Sequence, residues 1–393
     1  MPRTPTSSVL LAVGAVSVLT FGTACDSPEP RDDRTGSAAV VIVADTHANA
    51  PAPTLNEQAA DLVRGAMVNG DEVALIRVSG SPELADLRLR AVEGTTAGKD
   101  AAVESNLNRI ERELQNGTTV DGADDFEAIS RAADTLRDEK AEHPAIVFTG
   151  SGLGDRGRLD FTAPGILAAT PEDVSTYLKS TDALPDLDGI TVYLSGIGYT
   201  AGPQKPLDAA QRANVTAIWQ AVLRASGAEV VEIPDARAGR PVETTATVKP
   251  VNVPTTTTPA MCSTKEIIFG QQSAVSFHAE EARFVDANSA AKALSPIASW
   301  LSEDRNRTAV IRGTTADDRG DRMRLKRLGQ RRADAVASYL IAHGATRGQI
   351  SSTGVGADFA EYVRPDADPE TGLLLPGPAA VNRSVRIALT DPC

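Results

Sequence analysis

The chain has 393 residues, enough for two or three domains with sizeable cores, and it carries a net charge of −13 with only 4% aromatic residues. The acid is unevenly placed: residues 1–262 hold 22 Lys and Arg against 36 Asp and Glu, while residues 263–393 hold 17 against 16. An acidic N-terminal portion argues against nucleic acid as the main partner.

The first 24 residues read as a signal peptide. Arg3 gives a thin basic start, and Val9 to Phe21 (VLLAVGAVSVLTF) is an apolar run short for a bilayer-spanning helix and suited to a signal sequence. Gly22-Thr23-Ala24 precede Cys25, and a polar leader follows to residue 36. Small residues before a lone cysteine resemble the lipobox of bacterial lipoproteins, although Gly22 stands where that motif usually has Leu. The resemblance implies lipidation of Cys25 and a membrane anchor; the alternative is cleavage without lipid.

Residues 37–235 alternate strand and helix patterns. Strands are predicted over 39–44, 72–78, 87–92, 145–149, 190–195 and 229–233, with helices over 55–67, 99–114, 126–138 and 208–225. Continuous apolar strands between helices predict a parallel-rich, three-layer α/β domain of Rossmann-like type. In such sheets ligands bind beyond the carboxyl ends of the strands, where Asp45-Thr46-His47-Ala48-Asn49 and the loop Gly117-Thr118-Thr119 fall.

The order strand, helix, strand, strand, helix resembles a von Willebrand factor A-like domain, whose metal site uses Asp-x-Ser-x-Ser, a distant Thr and a later Asp. Asp45 matches the first position, His47 and Asn49 replace the serines, Thr118 or Thr119 matches the threonine, and Gly150 stands where the later aspartate belongs. The resemblance therefore implies at most a reduced metal site at Asp45, Asn49 and Thr119. No Gly-x-Gly-x-x-Gly or Walker sequence follows the first strand, so no nucleotide and no cofactor is predicted. The bland reading is an interaction module for a protein partner that the sequence does not identify.

Residues 236–261 carry Arg-Pro, Lys-Pro, Val-Pro and Thr-Pro steps and the run Thr255 to Thr258, which predict an extended, semi-rigid linker. Residues 262–393 then read β-α-β-α-β-β: strand 267–269, helix 285–301, strand 309–311, a long helix reaching His343, a strand from 350 to 356, an irregular insertion over 357–380 and a last strand over 382–389. Cys262 and Cys393 bracket this region, and an even pair in an exported protein predicts a disulfide.

The helix run Leu328-Gly329-x-x-Arg332-Ala333-x-x-Val336-x-x-x-Leu340, the Gly354-Val355-Gly356 after the third strand and Asn382-Arg383-x-Val385 together resemble the OmpA C-terminal-like, peptidoglycan-binding domain. The resemblance implies binding of stem peptides through diaminopimelate. A loop aspartate takes the ligand's amino group and the helix arginine takes its carboxylate. Arg332 matches that arginine, Asp317 matches the aspartate by spacing from it, and Arg383 lies in the closing motif. Counted instead from Gly313, the aspartate position falls on Ala316. Seven basic residues between Arg319 and Arg332 also admit an anionic polymer as ligand, or a solvated, salt-bridged helix face.

The chain thus reads as a cell-envelope lipoprotein, not an enzyme, anchored non-covalently to peptidoglycan. The alternative is a metal-dependent adhesion protein or enzyme acting through the N-terminal domain.

Overall fold

The computed structural model describes residues 39–89, 95–138, 143–254 and 266–390. The predicted signal peptide, Cys25, Cys262 and Cys393 lie outside the described residues.

The N-terminal domain is built on β1 (Val40–Ala44), α1 (Glu57–Asn69), β2 (Val73–Arg77), β3 (Glu83–Leu89), α2 (Thr96–Leu114), α3 (Asp125–Asp138), β4 (Ala145–Thr149), α4 (Pro171–Ser180), β5 (Thr191–Ser195), α5 (Ala209–Ala225) and β6 (Glu229–Ile233). The strands form one sheet in the order β3-β2-β1-β4-β5-β6, parallel except for the edge strand β3. Alternation splits β1 between two cores: Val41 and Val43 face one, Val40, Ile42 and Ala44 the other. Helices α1 and α2 cover the second face, and α3, α4 and α5 the first, which gives three layers.

Two expectations shift here. The predicted strand 87–92 is β3, four residues earlier, because Ala85, Leu87 and Leu89 are the positions that alternate into the core. The sequence reading passed over α4, although its start is well signalled: Thr170 caps it by accepting from the Asp173 N–H, Pro171 opens it, and Glu172 and Asp173 fill the first turn.

The linker reading is corrected over its described part. Residues 236–254 have no regular structure, but they lie against the N-terminal domain as a strap, with Val248, Val251 and Val253 in its core. Asp121 and Asp155 accept hydrogen bonds from the Thr247 and Lys249 N–H groups at 2.7 Å each, and Gln204 pairs with Val251 through both its amide oxygen and nitrogen. Proline spacing hid three valines that have a core to enter.

The C-terminal domain comprises β7 (Ile267–Gly270), α6 (Ala287–Glu303), β8 (Thr308–Thr314), α7 (Arg322–Ala342), β9 (Ile350–Gly356), α8 (Pro376–Asn382) and β10 (Ser384–Thr390). Its mixed sheet runs β7-β10-β8-β9, with β8 and β9 parallel and β10 antiparallel to both its neighbours. Leu294, Ile297 and Leu301 of α6 and Ala333, Val336 and Leu340 of α7 pack with Ile311 and Ile387 of the sheet in one core.

Three glycines set how closely α7 lies on the sheet. Gly313 of β8 pairs with Gly354 of β9, and Gly329 of α7 sits directly over them. A Cβ at Gly313 or Gly329 would collide with the other's backbone carbonyl, and one at Gly354 would collide with the backbone of Lys326 and Gln330. Gly329 is therefore a packing requirement of this helix.

The insertion is also more ordered than predicted. Asn382 is fully buried, and its side chain bonds both the N–H and the carbonyl of Val363 and donates to Asp366 Oδ2. Helix α8 then carries the insertion onto the N-terminal domain. Gly165 and Gly377 approach so closely that a Cβ on either would strike the other's segment, and Ala380 enters the N-terminal core. The Gln272 amide donates to Asn214 Oδ1 at 3.0 Å across the same boundary. The described residues belong to a single compact unit.

Candidate functional site

The C-terminal domain holds a cavity of about 160 Å³ where the start of α7, the end of β7, the start of β10 and the start of α4 meet. Arg332 and Arg383 both line it. Arg332 projects from the buried stripe of α7 and is only 8% exposed. Its guanidinium donates to the backbone carbonyls of Glu281 at 3.0 Å and His278 at 3.4 Å, and lies 5.5 Å from the Phe277 ring centre. Among the described residues it forms no ion pair. Desolvation first, and then repulsion from Arg383, push its pKa down to about 10. This is a buried cation short of a counter-charge.

Arg383 is differently placed. Its Nη1 donates to Asp173 Oδ2 at 2.5 Å and to Gln271 Oε1 at 3.2 Å. Asp173 belongs to α4 of the N-terminal domain, so the cavity wall is shared between domains.

The predicted acid does not join the two arginines. Asp317 is not among the lining residues, whereas Ala316 and Asp318 are. The Asp317 N–H donates to Asp366 Oδ2 at 2.9 Å and its carboxylate accepts from the Arg319 N–H at 3.0 Å, which ties it toward the insertion. The loop's extra residue thus puts Ala316 at the wall and turns Asp317 away. Asp318 faces the cavity, paired with Arg324, which also binds Glu280. Of the remaining bases in the arginine-rich run, Lys326 and Arg327 form surface pairs with Asp358 and Asp321, as expected for a solvated face.

At the carboxyl ends of the N-terminal strands, Asp45, Asn49 and the alternative threonine Thr118 are buried, whereas Thr119 is exposed. A cluster of metal-ligand side chains meets here. Asp45 and His47, after β1, and Asp125, at the start of α3, each offer a donor atom, all within 4.8 Å of one another. Asp45 and His47 are fully buried and Asp125 is 2% exposed. Asp45 Oδ2 accepts from the Ser151 N–H at 2.7 Å and hydroxyl at 3.0 Å. Burial, and then the Asp45 carboxylate, raise the Asp125 carboxyl well above its ordinary range. The clustering of Asp125 was invisible in sequence because 80 residues separate it from Asp45 and only the sheet brings them together.

Compared with known proteins, residues 276–371 match the OmpA family. No curated relative matches the chain. Similar solved structures include the peptidoglycan-associated lipoprotein from Burkholderia pseudomallei, at 22% identity over 30% of this chain and 96% of that one, with a TM-score of 0.24. A putative MotB-like protein from Desulfovibrio vulgaris shares 19% identity over 32% of this chain and 73% of its own, with a TM-score of 0.25. The OmpA-like domain of FopA1 from Francisella tularensis shares 16% identity over 32% and 71%, with a TM-score of 0.23. Residues 276–371 of this chain are an OmpA family domain.

Proposed function

We propose that the C-terminal domain binds peptidoglycan stem peptides through diaminopimelate, and that the chain is tethered to the cell wall by this contact. The observation that carries the reading is Arg332: a guanidinium that is buried, held by two carbonyls and left without a carboxylate partner at the wall of a cavity. A ligand carboxylate supplies the missing charge through short, charge-assisted hydrogen bonds. Arg383 takes a second carboxylate or steadies the first. Asp318, on the same wall, takes the place proposed from sequence for Asp317 and receives the ammonium. The family match over residues 276–371 supports the same ligand class.

Cys25 then provides a lipid anchor on the outer face of a membrane, with the N-terminal domain presented to a protein partner in the envelope. No helix among the described residues is long and apolar enough to cross a membrane. Co-sedimentation of the purified protein with diaminopimelate-type peptidoglycan tests the reading, with lysine-type peptidoglycan as the comparison. Arg332→Ala is expected to weaken pelleting about tenfold or more, since a charge-assisted bond is worth about 1.5 to 3 kcal/mol. Asp318→Ala is expected to reduce the preference for the diaminopimelate type. If the wild type fails to pellet, the function is wrong; if Arg332→Ala pellets undiminished, the site is wrong.

A further inference from the structure

The buried cluster of Asp45, His47 and Asp125 has a charge problem that its own residues leave open. Two carboxyl groups lie side by side in the interior; among the described residues neither pairs with Lys or Arg, and the nearest base is His47, whose Nε2 stands 3.6 Å from Asp45 Oδ2. Asp45 Oδ1, both Asp125 oxygens and His47 Nε2 are buried with no hydrogen-bond partner, as is Asn49 Oδ1 beside them. Buried anions without compensation cost several kcal/mol each. Native interiors leave very few such atoms, and those that occur call for a ligand.

The backbone around the cluster leaves room for the two acids. Gly150 follows β4 with no side chain, and a Cβ there would collide with the Asp45 carboxyl group. A Cβ at Gly154 would stand 2.9 Å from Asp125 Oδ2. The strap and the loop after α2 both reach the segment that follows β1: the Asn49 amide donates to the Val248 carbonyl of the strap at 3.2 Å, and the Thr118 N–H of the loop donates to the Thr46 carbonyl at 3.1 Å. Nothing in this arrangement presents an open coordination face to a partner's side chain.

We infer that Asp45, His47 and Asp125 together hold one divalent transition-metal ion of the zinc class, enclosed beneath the 244–254 strap. Two carboxylate oxygens and an imidazole nitrogen suit such an ion, whereas magnesium and calcium favour all-oxygen shells. The dication takes both acids as carboxylates, with the Asp125 proton released on binding, and gives a partner to one oxygen of each. Nδ1 of His47 accepts a long 3.3 Å hydrogen bond from the Asn49 N–H, which leaves the ring proton on Nε2. Coordination through Nε2 moves that proton to Nδ1 and gives up the Asn49 contact. Asp45 is oriented by Ser151, the kind of outer support that metal ligands commonly have. The ion joins the segment after β1 to the start of α3 under the strap.

Because the site is enclosed, loading is tested during folding. The full chain is denatured with chelator, refolded with ZnCl₂ and desalted, and its zinc content and melting temperature are then measured. The expected result is about one ion per chain and a melting temperature raised by several degrees, since an ion bound only by the folded state stabilises it. Asp125→Asn and His47→Gln each lose the ion and the shift, whereas Arg332→Gln keeps both. Asp125→Asn preserves shape, and circular dichroism reports whether it folds; if it does not, His47→Gln carries the comparison. Wild-type loading below about a tenth of an ion per chain, or a folded Asp125→Asn or His47→Gln variant that loads like wild type, overturns the assignment.

Discussion

Arg383 Nη1 donates to Asp173 Oδ2 at 2.5 Å although 210 residues separate them in sequence. One of the two arginines of the cavity is therefore already engaged by an acid from the other domain, while the second, Arg332, is not. In the proposed binding mode Asp173 is therefore an internal competitor for Arg383.

Removing that competitor frees Arg383. Asp173→Asn is expected to raise affinity for diaminopimelate-type peptidoglycan about threefold to tenfold, because a half-buried ion pair is worth roughly 1 kcal/mol. Pelleting curves of the two proteins at equal ionic strength check this. The gap is expected to shrink as salt rises, since the pair is partly exposed.

Arg332 is expected to serve binding at no benefit to stability. Its folded pKa of about 10 lies well below the ordinary arginine range, so the charged form is disfavoured by folding. That penalty is full at neutral pH and is relieved only as pH rises through about 10. Arg332→Gln is therefore expected to unfold in urea within about 1 kcal/mol of wild type at pH 7 while losing peptidoglycan binding. The wild type gains on the variant only in unfolding measured above pH 10.

Gly329→Ala drives a methyl group into the Gly313 carbonyl, and the helix must move off the sheet to accept it. A loss of about 1 to 3 kcal/mol is expected, measurable by urea denaturation. A surface helical glycine changed to alanine would instead stabilise.

Val251 distinguishes strap from spacer. Val251→Ala is expected to cost about 2 kcal/mol because the side chain is 3% exposed in the N-terminal core. A residue in a solvated linker would change stability by less than about 0.5 kcal/mol.

Cys262 and Cys393 are expected to be joined. Thiol titration of the denatured, unreduced protein should find neither free, and reduction should lower the melting temperature. A bridge closing a loop of about 130 residues contributes up to about 4 to 5 kcal/mol in the chain-entropy account.

What sequence alone determined about this protein is its order of elements. Continuous apolar runs set β1 and β4 to within a residue, since a strand buried on both faces reads as an unbroken apolar segment, and β6 was placed equally well although its two glutamates are exposed. The helix motif likewise identified Arg332, because its neighbours Leu328, Val336 and Leu340 recur at helical spacing and carry it inward. Long-range placement was decided only by the tertiary structure. Spacing matched Asp317 to the aspartate, but the direction of a loop side chain follows from its backbone partners, and Asp366 holds this one away. Proline steps in residues 236–254 showed an extended chain without showing that its valines had a core to enter. The pairing of Arg383 with Asp173 and the meeting of Asp45, His47 and Asp125 join residues far apart in the chain, and no local periodicity encodes such contacts. The sequence therefore led to Arg332, and the fold showed which acids stand near its cavity and which buried acids lie together elsewhere.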